Sequence, residues 1–181
     1  MQTRLDLLQS DSYPTRADLG CGFRTRDILD DTLRVDRNPA CNPDLVWDLN
    51  REWPPEWDDQ FYWIEMNHVL EHLNDFWFVW NSLYRALKPG GKVSIYTPHA
   101  LSITAWSDPT HKRGYTLRSF QSDQLCGCNC PPMRIVLQRL IWRPEWPKLS
   151  KILDLGFFGE KYLSPFLGGY HEMHVCLQKE A

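Results

Sequence analysis

The sequence predicts an α/β fold: one domain built on a mostly parallel sheet covered by helices. Three observations carry this. Short apolar runs alternate with polar or helix-patterned segments through the first hundred residues, as in a chain of βαβ units. One long segment has helical period. The last third changes character: "MRIVLQRLIW" and "HEMHVCLQK" are strand-like runs joined by a long Pro/Gly-rich connection, which suits an antiparallel pair at the end of the sheet. With 181 residues, 43% of them apolar, the chain is long and apolar enough for one domain with a real core.

The elements follow in order. "MQTRLDLLQSDS" is a short lead-in. "RADLGCG" is a short strand ending in a glycine turn, and "TRDILDD" has the length of a brief helix. "TLRVDRNP" is a second strand, stopped by an acid and a proline. "DLVWDLN" is a third strand, "PPEWDD" a loop, and "QFYWIEM" a strongly apolar fourth strand. In "NDFWFVWNSLYRALKPGG", Phe76, Val79, Trp80, Leu83 and Leu87 recur every three or four residues, which puts them on one helix face. Asn74 or Asp75 can cap its start, and Pro89-Gly90-Gly91 ends it. "KVSIYTP" is the fifth strand. No repeat, low-complexity tract or linker divides the chain.

Net charge is −3, which excludes a global basic footprint for nucleic acid. Residues 1–100 carry 10 basic and 16 acidic side chains, whereas residues 101–181 carry 10 and 7. This bias suits an anionic or phosphate-bearing ligand meeting the second half, and suits equally a solvated surface. The start of the chain lacks a charged-then-apolar leader pattern, and no apolar run reaches membrane-spanning length. The expectation is a cytoplasmic protein with free thiols and no membrane partner. "CGCNC" (126–130) lacks the second cysteine pair of a structural zinc site and reads as a thiol-rich loop.

Three strand ends carry the chemistry. Asp18-Leu19-Gly20-Cys21-Gly22 follows the first strand, where glycines let the backbone turn tightly and approach a ligand. Asp36 ends the second strand, where an acid can accept two hydrogen bonds from a ribose diol. Asp48 ends the third, where an acid can face an adenine amino group. Singly, Asp36 is a turn former and Asp48 a strand-end cap. Together they mark the crevice in which open α/β sheets bind ligands.

On these residues the chain resembles the class I S-adenosylmethionine-dependent methyltransferases. The matching pieces are "DLGCG" (18–22), "VDRNP" (35–39), "WDLN" (47–50), "NHVLEHL" (67–73) and "ALKPGGKVSIYTPH" (86–99). They stand in the family's order and cover residues 17–99, the cofactor-binding half. The resemblance implies a single Rossmann-like three-layer sandwich with a seven-stranded sheet whose last strand is antiparallel. It implies S-adenosylmethionine as cofactor. Asp18, Gly20, Cys21 and Gly22 would wrap its amino-acid part, Asp36 with Arg37 would hold the ribose, Asp48 with Leu49 would lie at the adenine, and Asn67 with His68 would run beside the methionine moiety. Arg24 stands where the family's third glycine falls, and thirteen residues between Gly22 and Asp36 leave room only for a short first helix. N-terminal covering helices are almost absent, so the acceptor side is open, or is closed by residues 100–130 or by another subunit of a homo-oligomer.

"SDPTHKRGYT" (107–116) follows the fifth strand, in the acceptor half 100–181, and resembles "DPTHKR" segments of small methyltransferases. It offers His111 as a proton acceptor or acceptor-orienting group, with Asp108 fixing its tautomer. His99 is a second histidine of this kind. Lys112 and Arg113 can bind an anion, and Tyr115 and Trp106 offer stacking faces. The plain alternative is a capping turn in which Thr110 bonds locally and His111 satisfies a backbone carbonyl. No metal site is expected. His68 and His72 stand four apart, but Glu71 sits beside the second histidine rather than after the first, as a zinc helix requires. His72 then reads as a packing residue at the sheet edge, as do His171 and His174.

The expected activity is methyl transfer from S-adenosylmethionine to a small-molecule or nucleotide-like acceptor. A second reading is a nucleic-acid methylase, favoured by the basic second half and abundant tryptophan. "MNHVLEH" stands where amino-methylases of bases carry Asn/Asp-Pro-Pro-Tyr/Phe, which counts against it. A third is a cofactor-binding module without methyl transfer, or a relative that cleaves the cofactor, acting with a partner.

Overall fold

The computed structural model describes residues 13–23, 31–121, 130–141 and 171–180. The lead-in, most of "TRDILDD", Arg24, Cys126, Cys128 and most of "RLIWRPEWPKLSK" lie outside the described residues. Seven strands form one sheet: β1 (Arg16–Leu19), β2 (Thr32–Asp36), β3 (Leu45–Val46), β4 (Phe61–Asn67), β5 (Leu87–Pro98), β6 (Met133–Ile141) and β7 (Glu172–Lys179). Their order is β3-β2-β1-β4-β5-β7-β6. β1 to β5 run parallel. β7 inserts antiparallel between β5 and β6. The α/β sheet and its antiparallel last strand are those expected.

The order dictates where a ligand can sit. The chain runs outward from β1 through β2 to β3, then returns to lay β4 on the other side of β1. Connections therefore diverge between β1 and β4, and a crevice opens outside their carboxyl ends. β7 and the second half of β5 are near-continuously buried, as strands covered on both faces are, whereas β1 and β2 alternate between buried and half-buried residues. Leu19, Val35, Ile64, Met66, Val93, Met173, Val175 and Leu177 are buried along the sheet.

Helix α1 (Phe76–Ala86) buries Phe76, Val79, Trp80 and Leu83 on the sheet. Asp75 caps it by accepting from the N–H groups of Trp77 (2.9 Å) and Phe78 (3.2 Å). Leu87 is not the last residue of its apolar face: it opens β5, paired with Phe61. Residues 88–91 then bulge out before Lys92 pairs with Trp63, so "KPGG" ends the helix inside an irregular strand start. "PPEWDD" contains a 3-10 turn, Pro55–Trp57, that drives Trp57 into the core against Trp53 and Phe61. The short helix α2 (Thr104–Ser107) follows β5.

Candidate functional site

A cavity of about 340 Å³ occupies the crevice between β1 and β4. Gly20, Cys21, Gly22, Asp36, Arg37, Asp48, Leu49, Asn67 and His68 all line it. Asp18 does not; it lies one step back on β1. Trp47, Asn50, Val69, His72, Leu73 and Phe23 complete the wall. Trp47 and Asn50 fall inside the "WDLN" motif, yet no role attached to them in the sequence.

The glycine turn is shaped by the opposite wall. Gly20 sits at φ +75, and a Cβ there would stand 2.3 Å from Val69 Cγ2. Gly22 sits at φ +56, and a Cβ there would meet nothing within 4 Å. The first glycine is thus required by packing, while the second leaves open space beside the cavity. Burial pushes the Cys21 thiol up to about 11, so between them lies a neutral thiol and not a nucleophile.

Asp36 is held by the turn it faces. Its Oδ2 accepts from Gly22 N–H (2.8 Å) and its Oδ1 from Asn38 N–H (2.8 Å). Each oxygen keeps a lone pair for a further donor. Asp48 Oδ1 accepts from the backbone and side-chain N–H groups of Asn50, both at 3.0 Å. The Asn50 backbone bond leads in holding the Asp48 carboxyl below its ordinary range, leaving a carboxylate as acceptor. The Trp47 indole N–H, also in this wall, is buried with no hydrogen-bond partner among the described residues.

His68 stands at the far end, in the left-handed region at φ 55. Its Nε2 lies 2.9 Å from Glu172 Oε1 and its Nδ1 lies 3.2 Å from Glu71 Oε1. The bond to Glu172, then that to Glu71, raises its pKa to about 9, so an imidazolium bridges two carboxylates at neutral pH. Glu71 is buried and its Oε2 accepts from Thr97 Oγ1 (3.0 Å). Glu172 opens β7 opposite Pro98, and no spacing in the sequence pairs it with residue 68.

His68 also borders a second, more open recess of about 580 Å³, lined further by Pro98, Thr104, Ser107, Asp108, Pro109, His111 and His171. The two sequence-predicted catalytic residues therefore stand beyond the first cavity, with His68 between. His111 is held by Ala105: its Nδ1–H donates to that carbonyl at 2.9 Å. Asp108 does not fix the tautomer as expected, because its Oδ2 is 3.9 Å from His111 Nε2, beyond hydrogen-bond reach. Its Oδ1 instead accepts from Thr110 N–H (2.8 Å) and Oγ1–H (2.7 Å). The capping-turn bonds are thus real, and with Nδ1–H given to Ala105 the neutral His111 ring carries its acceptor lone pair on Nε2.

Further placements differ from those expected. His99 is fully buried, its Nδ1 accepting from Leu101 N–H (3.2 Å), and reaches neither cavity. Tyr115 is buried against Phe76 and Phe120, its hydroxyl donating to Leu70 O at 3.4 Å; burial raises its pKa, so it is a neutral core residue. His72 is not sheet-edge packing: it lines the first cavity and its ring stacks edge-on against His111, centroids 4.7 Å apart. His171 borders the recess, and His174 is buried within β7, an interior strand. Lys112 and Arg113 are exposed and border neither cavity; Trp106 is exposed, its indole N–H donating to Ala100 O (2.7 Å).

No protein-family model matches the chain, and no curated protein matches it. Solved structures do. An S-adenosylmethionine-dependent methyltransferase from Mesorhizobium loti aligns at TM-score 0.64 and 15% identity, covering 98% of each chain. One from Archaeoglobus fulgidus aligns at TM-score 0.61 and 17% identity, covering 97% of this chain and 92% of the other. Phosphoethanolamine N-methyltransferase 2 from Haemonchus contortus, in complex with S-adenosyl-L-methionine, aligns at TM-score 0.57 and 15% identity over 98% of this chain and 51% of the other. At these identities the likeness is one of fold: the chain has the Rossmann-like architecture these methyltransferases share.

Proposed function

We propose that the chain is an S-adenosylmethionine-dependent methyltransferase acting on a small-molecule or nucleotide-like acceptor. The observation that carries this is the crevice between β1 and β4, where two carboxylates and a glycine turn face one cavity. The residues fit the cofactor. Open space at Gly22 admits a group against the backbone, Asp36 keeps acceptor capacity for ribose hydroxyls, and Asp48 for an amino group. A volume of about 340 Å³ falls within the range of small-molecule sites. The methyltransferases of like fold, one of them acting on phosphoethanolamine, support a small acceptor.

When bound, the cofactor supplies an electrophilic methyl group. The chain's own residues do the rest. Asp36 and Asp48 orient the nucleoside, and Asn67 and His68 border the amino-acid side. His68 closes the boundary to the recess, its positive charge offset by Glu71 and Glu172. His111 Nε2 accepts a hydrogen bond, or the proton, from an acceptor in the recess. Asp108 holds the turn that carries His111, acting as a positioning residue.

Calorimetric titration with S-adenosylmethionine and S-adenosylhomocysteine tests the reading. Wild type is expected to bind at micromolar Kd, on the order of 8 kcal/mol. Asp36→Asn keeps one acceptor oxygen for the turn but puts an amide against the ribose, and is expected to bind at least tenfold more weakly. Equal affinity in the two proteins sinks the assignment of Asp36.

A further inference from the structure

We propose that Glu71, His72 and His111 form a divalent transition-metal site in the wall between the two cavities. One ligand atom from each lies within 4.8 Å of the others. Ligand atoms around a cation bound at 2.0–2.2 Å stand roughly 3–4 Å apart, so modest side-chain rotation closes the set. Two imidazoles and a carboxylate suit zinc, iron, cobalt or manganese, and three protein ligands leave positions open. The spacing 71, 72, 111 matches no metal motif, which is why none was expected from sequence.

The neighbours of the two histidines point to a ligand independently of that clustering. The Asp108 carboxylate can only accept, so the Thr110 hydroxyl gives its one proton to Asp108 Oδ1 (2.7 Å). Thr110 Oγ1, 2.9 Å from His72 Nδ1, must then accept from Nδ1–H. The Ala105 carbonyl likewise takes the proton of His111 Nδ1 (2.9 Å). Both rings therefore carry a proton on Nδ1, the tautomer in which a neutral imidazole presents its lone pair on Nε2. Metal-ligating histidines are oriented in this way, the non-ligating nitrogen donating to a fixed oxygen. The turn Asp108-Pro109-Thr110 holds the His72 ring, and Ala105 of α2 holds that of His111. Glu71 is fixed as well, by Thr97 and by its backbone carbonyl, which accepts from Lys112 N–H (2.7 Å). That last bond ties the segment carrying His111 to the one carrying Glu71 and His72.

His72 faces the first cavity and His111 the recess, so open positions on the cation are reachable by an oxygen ligand or water from the recess. One lone pair cannot serve twice. In the loaded protein His111 Nε2 holds the cation, and its hydrogen-bond or proton-accepting role belongs to the metal-free form.

The test is titration of chelator-stripped protein with Mn²⁺, Co²⁺ and Zn²⁺ by calorimetry, with Co²⁺ absorption read alongside. Wild type is expected to take one ion at micromolar Kd or tighter. His72→Ala and His111→Ala should weaken it at least a hundredfold, and Thr110→Val about tenfold through loss of the His72 partner. Long-range ¹H–¹⁵N spectra of the wild-type imidazoles keep the test independent of variant folding: Zn²⁺ should shift Nε2 of His72 and His111 and leave Nδ1 protonated. No saturable binding, binding unaltered in both histidine variants, or shifts at other histidines would overturn the site. The metal readout needs no S-adenosylmethionine, so its failure leaves the methyltransferase reading standing, and the converse also holds.

Discussion

Gly20 and Gly22 belong to one motif but answer to different forces. Gly20 at φ +75 faces Val69 at 2.3 Å from an added Cβ, whereas Gly22 faces open space. Gly20→Ala should therefore cost stability, about 1–3 kcal/mol from backbone strain and overpacking, seen as a lower urea midpoint. Gly22→Ala also adopts a left-handed backbone at a cost of about 1–2 kcal/mol. Its added methyl enters the ligand space, so affinity for S-adenosylmethionine should fall far more than in a stability-matched control variant. Urea melts and calorimetry on both variants decide this; equal losses of affinity would show that the turn acts as a unit. That Asp36, Asp48, Gly20 and Gly22 face one cavity was legible because each placement is local: a strand end or a turn. His72, Glu172 and His171 were not. Their roles arise from pairs such as residues 68 and 172, or 72 and 111, which only the folded sheet brings together. His99 and Tyr115 misled for the converse reason. They carry capable groups beside β5, but their backbones pair with each other as an isolated bridge that draws both into the core.

At the scale of elements, β7 shows how an interior strand handles a titratable group. His174 lies flat on Tyr96 of β5, centroids 4.0 Å apart and 7° from parallel, with Nε2 2.9 Å from Ser94 Oγ. Its Nδ1 is buried with no hydrogen-bond partner among the described residues. Burial lowers its pKa below 6.5, so the folded chain prefers the neutral ring. Between the folded pKa and 6.5 the unfolded chain binds more protons, and stability must rise with pH across that window. His68, raised to about 9 by Glu172 and Glu71, has the opposite slope, so the His174 contribution is read as a difference: the stability of wild type relative to His174→Phe, which keeps the stack, should fall from pH 7.5 to 5.5 in urea melts. A difference that does not change with pH would remove His174 from the acid sensitivity. The parallel strands and α1 were readable from apolar runs and helical period. That β7 is interior was not readable from its own composition: its place follows from where a return crossing of the sheet leaves it, so a sequence reading set His174 at an edge.

At the scale of the whole molecule, the sheet order separates two cavities that meet at His68. The first cavity is built by β1, β2, β3 and β4 and the loops at their carboxyl ends, the recess mainly by segments after β5 and before β7. Ligand binding to the first should stabilise the folded chain as a whole by mass action. At S-adenosylmethionine concentrations a hundredfold above Kd the gain is about 2.7 kcal/mol, which for a chain of this size raises Tm by roughly 5–10 °C. Asp36→Asn, if tenfold weaker, forfeits about 1.4 kcal/mol of that gain and should shift correspondingly less at the same concentration. His111→Ala lies on the other side of His68. It should keep the full cofactor-induced shift while methyl transfer to a screened acceptor falls by roughly 10²–10⁴. Thermal scans of the three proteins with and without cofactor therefore ask whether the halves are separable. A shift lost in His111→Ala would mean that the recess and the cofactor cavity close together, with the 108–111 turn forming part of the cofactor site.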